Sequence, residues 1–412
     1  MGILRRVAIA PGNRRRGAIA RESGQIRLDY FSPLPPERSG ISEYSTLLLP
    51  ALQRRFDVEV AARGRAAVGD VCLYHVGNNP DAHAWIVEAL RRRPGVVVLH
   101  DFVLHHLVAG MTLGRGDAEG YLGAMQRDAG VEGRLLAHGV IDGVIPPLWE
   151  VRPEDFPLAG EILEHASKPG GGLIVHSEYV ERCVRAAGYE GRLWRIPHPA
   201  WRPPATPPAA IAGGPIIGCF GHLTASKRIP QLIQAFQVLR RLQPEARLLV
   251  VGAATPGFSL DARLRESDLV GVVREDYVDE ERLWALMSAC DVVVSLRTPT
   301  MGETSGSAIR ALVAGRPLVV SDVGWFSELP DEVALKIPVG ALEIATLTTA
   351  LELLASSEQA RSEMSASALA YIRSEHALEK IAHAYAAALE EVAVGDTARA
   401  PAAARSRVPV GA

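Results

Sequence analysis

Long apolar runs are missing from these 412 residues: no uninterrupted stretch reaches the ~18 residues that a membrane-spanning helix needs. A dominant charge is missing too. The net charge is −3 and both signs are spread along the chain, which argues against a general nucleic-acid binder. Cysteine is scarce, and Cys72, Cys183, Cys219 and Cys290 stand far apart in apolar surroundings. They read as core thiols in a reducing compartment rather than as a disulfide framework or a metal set. No Cys or Glu stands at ligand spacing from His105 and His106, and no Asp-x-Asp pair occurs, so no metal site is expected. The first 24 residues hold six arginines and one acid, and their apolar piece, Val7 to Ala10, is too short for a signal peptide. Residues 1–24 read as a disordered basic extension or a start placed too early. Contact with a membrane surface is the alternative. A cytoplasmic protein is expected, at the inner face of the membrane if that alternative holds. The chain is too long for one ordinary core, which predicts two domains.

What is present is an alternation of short apolar runs with amphipathic stretches. The most informative part is DVVVSLRTPTMGETSGSAIRALVAGRPLVVSD, from Asp291 to Asp322. Val292-Val293-Val294 is too short for a helix and reads as a strand buried on both faces. A loop of Thr, Pro, Gly and Ser follows, and then Ile309, Leu312 and Val313 fall at helical spacing. Gly315 and Pro317 stop that helix, and Leu318 to Val320 form a second buried strand. Thr304, Ser305 and Ser307 stand at or near the N-cap, and Gly306 is expected to leave the backbone uncovered. Free N–H groups and the positive end of the helix dipole then form an anion site. Glu303 is placed beside it to accept hydrogen bonds from hydroxyl groups.

Earlier in the chain, strands are expected at Ile26–Phe31, Val71–His75, Val96–Leu99, Gly172–His176 and Leu193–Ile196. The first breaks into a proline-rich turn and then a helix with Ser39 as N-cap and Gly40 in its first turn. That start reads either as a site for close approach of an anion or sugar, or as an ordinary turn. His75, Asn78 and Asn79 follow the second strand, and the asparagines also suit a plain turn. His100 and Asp101 end the third strand. In open parallel sheets that end borders the ligand crevice, although a satisfied core histidine is the alternative. Residues 199–213, dense in proline and alanine, read as the linker. A strand at Ile216–Phe220 then leads to Gly221-His222-Leu223-Thr224-Ala225-Ser226-Lys227-Arg228 and a helix. A Lys-Arg pair is usually a solvated face; between strand and helix it reads better as a phosphate clamp. The expected division is 1–24 extension, 25–198 first domain, 199–213 linker, 214–376 second domain, 377–393 a helix packing back on the first domain, and 394–412 a disordered tail. The fold class is α/β: two Rossmann-like parallel-sheet domains facing across a cleft.

Over residues 25–392 this arrangement resembles a family-4 glycosyltransferase of the GT-B architecture. PLPPERSGISEYSTLLLPAL resembles that family's first glycine loop and helix. GCFGHLTASKRIPQLIQAF resembles its Gly-Arg-Leu-x-x-x-Lys-Gly motif. MGETSGSAIRALVAGRPLVVSDVGWFSELP resembles its Glu-Gly-Phe-Gly-x-x-x-x-Glu-Ala-x-x-x-Gly-x-Pro signature. The resemblance implies transfer of a sugar from a nucleotide sugar with retention of anomeric configuration. Lys227 takes the place of the diphosphate-binding lysine, and His222 stands where arginine is usual. Gly40 matches the glycine facing the diphosphate, and His100 resembles the histidine near the reacting sugar. Aligned on Gly315-Arg316-Pro317, the family's second glutamate falls on Arg310 and its first on Gly302, with Glu303 one residue away. The second glutamate holds ribose hydroxyls, and an arginine cannot accept those hydrogen bonds. Either the ribose is held otherwise, or Arg310 meets a phosphate, or the usual donor is lost.

The expected catalytic set is therefore His100, Asp101, Lys227 and Glu303. The expected donor-binding set is Ser39, Gly40, Gly221, His222, Lys227, Glu303, Thr304, Ser305, Gly306 and Arg310, with His75, Asn78 and Asn79 on the acceptor side. The nucleotide sugar is a substrate and no cofactor is expected. The acceptor is an unassigned glycan, lipid-linked or small molecule. A nucleotide-sugar epimerase, a glycosyl phosphorylase and a non-catalytic sugar-nucleotide-binding subunit are the competing readings.

Overall fold

A computed structural model of the chain describes residues 25–255, residue 38 excepted, and 270–399, with side chains to 395. The basic extension 1–24 and the end of the tail lie outside the described residues.

The first sheet is built from β1 (Arg27–Phe31), β2 (Asp57–Val60), β3 (Val71–Val76), β4 (Val96–Leu99), β5 (Gly172–Val175) and β6 (Leu193–Arg195). Its order is β2-β1-β3-β4-β5-β6, with every pairing parallel. The second sheet contains β7 (Ile216–Phe220), β8 (Arg247–Val251), β9 (Val272–Glu275), β10 (Val292–Ser295), β11 (Leu318–Ser321) and β12 (Ala334–Ile337). Its order is β12-β11-β10-β7-β8-β9, again all parallel. Central strands such as VCLYHV and VVVL are enclosed along their whole length because helices cover both faces.

The helices of the first half are α1 (Gly40–Gln53), α2 (Pro80–Arg92), α3 (His105–Met111), α4 (Ala118–Ile141), α5 (Leu148–Val151), α6 (Gly160–Ala166) and α7 (Glu178–Ala186). The second half has α8 (Ile229–Leu242), α9 (Glu280–Ala289), α10 (Gly306–Val313), α11 (Glu343–Ser356) and α12 (Glu358–Glu375). The final helix, α13 (Leu378–Arg399), crosses back. Its Ile381, Tyr385, Leu389 and Val392 share one core with Leu28, Tyr30 and Leu48, and Tyr385 Oη lies 2.6 Å from Tyr44 Oη.

Two elements escape the sequence reading. β2 is an edge strand whose Asp57 and Glu59 blunt its apolar character. α2 begins on Asn79, whose side chain accepts from Asp81 N, with Pro80 in the first turn. The segment 199–213 has neither helix nor strand but is pinned in place. Trp201 is buried in the second-domain core, and Ala209 N donates to Ala285 O at 2.9 Å.

Strand order decides where a ligand can sit. In each sheet the chain first builds outward on one side of its starting strand and then switches to the other. A crevice opens at the carboxyl ends where that switch occurs. In the first sheet it lies between β1 and β3, and in the second between β7 and β10.

Candidate active site between the two sheets

The second-sheet switch brings the loop after β7 against the loop after β10. Gly221 directly follows β7 with φ of +95°, a conformation that side chains disfavour. A Cβ built there would lie 3.2 Å from Lys227 Nζ and 3.9 Å from Ser307 Oγ. The lysine and the start of α10 therefore line one hollow. Lys227 is only 6% exposed, and its Nζ donates to Phe220 O. Burial pushes its pKa down to about 8; the Arg297 charge acts in the same direction, while Cys219 and Glu303 oppose it. Arg228 does not join it. Arg228 adopts φ of +54°, and its guanidinium forks onto the buried Glu343 of α11. The paired-cation clamp thus reduces to one lysine. His222 is exposed, and no side-chain partner for it is found among the described residues.

Ser305 caps α10, accepting from Ala308 N at 3.3 Å, and lies 3.1 Å from Ser307 Oγ. Among the described residues Gly306 N and Ser307 N meet no protein acceptor, and Thr304 Oγ1 is buried without a partner. Gly306 is not uncovered as expected: a Cβ there would come within 3.2 Å of the Trp201 ring. That indole stacks under Arg310, whose guanidinium carbon lies 3.7 Å from the ring centroid. Arg310 also reaches out of its own domain, with Nη2 2.8 Å from Glu43 Oε2 in the first turn of α1.

Glu303 accepts from Met301 N at 2.7 Å and Thr300 Oγ1 at 3.1 Å through Oε2, while its Oε1 lies 2.8 Å from Arg297 Nε. The carboxylate thus shapes its own loop, which leaves few lone pairs for a ligand's hydroxyls. Arg297 is a site residue that the sequence reading misses. It follows β10, donates from Nη1 to Ser226 Oγ at 3.1 Å and is anchored by Ser321 Oγ at 2.9 Å. An arginine two residues after a buried strand was the available signal.

On the first-domain side, Ser39 caps α1 by accepting from Ser42 N at 3.0 Å, and among the described residues no atom lies within 4 Å of a Cβ built on Gly40. That helix start is open. His100 directly follows β4, with its Nε2 3.0 Å from His75 Nδ1. Asp101 Oδ2 accepts from Asn78 N at 2.8 Å. Its pKa is pushed up to about 7 by burial and then by the Glu303 charge, against the opposing pull of the Asn78 amide and Arg297. The acceptor-side trio needs correction. His75 is fully enclosed, Asn79 is spent on the α2 cap, and Asn78 Oδ1 accepts from Leu107 N at 3.1 Å. His75 is thus closed off from a ligand, and the side-chain oxygens of both asparagines serve the local backbone.

The two halves touch across the cleft. Met301 O accepts from Phe102 N and Val103 N at 2.7 and 2.9 Å, and Thr300 N donates to Glu154 at 2.9 Å. Glu328, after β11, accepts from Glu178 N and Tyr179 N at the start of α7, at 3.0 and 2.5 Å.

This is the GT-B fold, and known proteins agree. Residues 214–356 match the family model described as glycosyl transferases group 1. A 2-deoxystreptamine glucosyltransferase of Streptomyces kanamyceticus is 27% identical over 136 residues, 33% of this chain and 35% of that protein. The match thus spans about a third of the length of that curated relative. HepE of Anabaena, solved with UDP and glucose, superposes with a TM-score of 0.59 at 16% identity, covering 89% of this chain and 100% of HepE. Sucrose-phosphate synthase of Thermosynechococcus elongatus gives 0.60 at 17% identity, covering 89% and 99%. Among the described residues no helix is long and apolar enough to cross a membrane.

Proposed function

We propose that this protein is a retaining glycosyltransferase of the family-4 type. It moves a hexosyl group from a nucleoside diphosphate sugar to a hydroxyl-bearing acceptor, a glycan or small molecule, without a metal on the diphosphate. The observation that carries the reading is the convergence of Lys227, Gly221 and the α10 start on one hollow at the sheet switch. As the bond from the anomeric carbon to the diphosphate breaks, negative charge grows on the leaving oxygen. Lys227, Arg297 and the free amides of Gly306 and Ser307 are preorganised to stabilise it. The open start of α1 at Gly40 offers amides from the opposite side. His100 and Asp101 orient the transferred sugar, and Glu303 holds the loop that shapes the pocket. HepE, solved with UDP and glucose, makes a uridine diphosphate sugar the first donor to try.

A thermal-shift screen against UDP-, GDP-, ADP- and dTDP-sugars tests donor binding, because a ligand that binds only the folded state raises its stability. Lys227→Ala is expected to lower transfer by about two orders of magnitude. Unchanged turnover in that variant removes its role, and epimerised sugar formed without an acceptor favours an epimerase.

A further inference from the structure

The carboxyl ends of β3 to β6 gather four buried histidines, His75, His100, His176 and His198, around the ring of Tyr44. Three nearby rings have their protons fixed by their partners. His176 Nδ1 lies 2.8 Å from Ile196 O, His198 Nδ1 2.7 Å from Pro199 O, and His83 Nδ1 3.0 Å from His75 O. A carbonyl oxygen only accepts, so each of these rings carries a proton on Nδ1. Burial drives their pKa values down, so they stay neutral near pH 7.

His75 and His100 face each other directly, Nδ1 to Nε2 at 3.0 Å, and both are likewise held neutral by burial. One proton lies between them. If it belonged to His100 Nε2, the proton of His75 would sit on its own Nε2, which is buried and has no partner among the described residues. An unpaired buried N–H forfeits its hydrogen bond to water with nothing in return. Orphaned buried N–H groups are also rarer than orphaned acceptors. If the proton belongs to His75 Nδ1, the nitrogen left unpaired is only a lone pair. His100 must then carry its proton on Nδ1. Among the described residues that nitrogen meets no protein acceptor, and the ring keeps 8% exposure beside Asp101.

We infer that His75 is a positioning residue that locks His100 in the tautomer offering Nδ1–H to the cleft. His100 is thereby a neutral hydrogen-bond donor. It holds a hydroxyl oxygen of the sugar and cannot abstract a proton on that side, where it has no lone pair. This deepens the proposed function and rests on it for the identity of the ligand.

Long-range proton–nitrogen NMR of the full chain labelled with 15N-histidine reads the tautomers directly, with His75→Leu, His75→Asn and His100→Asn providing the assignments. In the unsubstituted protein both rings are expected to show a protonated Nδ1 and a bare Nε2. A protonated His100 Nε2 overturns the inference. His75→Leu is expected to move His100 to a mixture of tautomers and to lower kcat about tenfold with donor affinity unchanged. His75→Asn, whose amide nitrogen stands near the former Nδ1, is expected to restore both. If His75→Leu leaves the His100 pattern intact, the positioning role falls. The stated tautomers in a protein that transfers no sugar would leave the inference about the rings standing and overturn the functional reading instead.

Discussion

An ammonium group enclosed by protein is poorly hydrated, and Lys227 shows the consequence. Its pKa of about 8 leaves it mostly charged at pH 7, ready for an anion. Donor affinity is expected to hold up to about pH 7.5 and to weaken above pH 8 as the proton leaves, which calorimetry at constant ionic strength would show. Stability moves the other way. Between about pH 8 and 10.5 the unfolded chain binds the proton that the folded lysine has lost, so this residue's contribution to stability rises with pH there. Asp101 has the opposite sign. The folded carboxyl keeps its proton to about pH 7, whereas the unfolded one releases it near 3.8, so its contribution falls as pH rises through that window. Asp101→Asn is expected to raise the melting temperature at pH 8 and to leave it nearly unchanged at pH 4, measured by differential scanning calorimetry. Lys227 was legible from its place between strand and helix. The Asp101 shift was not, because it depends on burial in the assembled cleft and then on Glu303 from the other domain. Arg310 was legible as a departure from the family pattern, but its stacking on Trp201 and its pairing with Glu43 were not.

Elements behave more simply. The runs VVVL, IIGCF and VVVS are apolar and short because strands of a doubly covered parallel sheet have no solvent face. That pattern is local, and it could be read in advance. α2 was also readable in principle from Asn79, Pro80 and the paired arginines at its end, but competing readings of the asparagines obscured it. β2 offered little, since an edge strand with two acids looks like a loop. The element that matters most for the site is the turn from β7 to α8. Gly221→Ala puts a methyl group 3.2 Å from Lys227 Nζ at a positive φ. The expected outcome is a loss of about 1–3 kcal/mol in urea denaturation together with weaker donor binding.

At the scale of the molecule, one of the direct contacts between the two halves is a carboxylate on a helix start. Glu328 takes the amides of Glu178 and Tyr179 across the cleft, and its burial raises its pKa. Glu328→Ala leaves those amides to water. It is expected to increase the radius of gyration in small-angle scattering while the melting temperature of each half stays nearly constant. A single compact curve identical to that of the unsubstituted chain would deny the contact any role in closure. α13 works on the same scale, since Leu28, Tyr30 and Leu48 in its core lie more than three hundred residues earlier.

The sequence by itself determined which segments become strands and helices, where the hydroxyl and glycine residues cap them, and that the chain builds two parallel-sheet halves. Those properties follow from periodicity and capping, which act over a few residues. Only the tertiary structure decided which side chains meet. Strand order put the Lys227 and Ser307 loops at one switch point, drew Arg228 away to Glu343, turned Arg310 to Glu43, and enclosed His75 behind His100. Partners of that kind are brought together by packing over long sequence separations, and no local pattern encodes them.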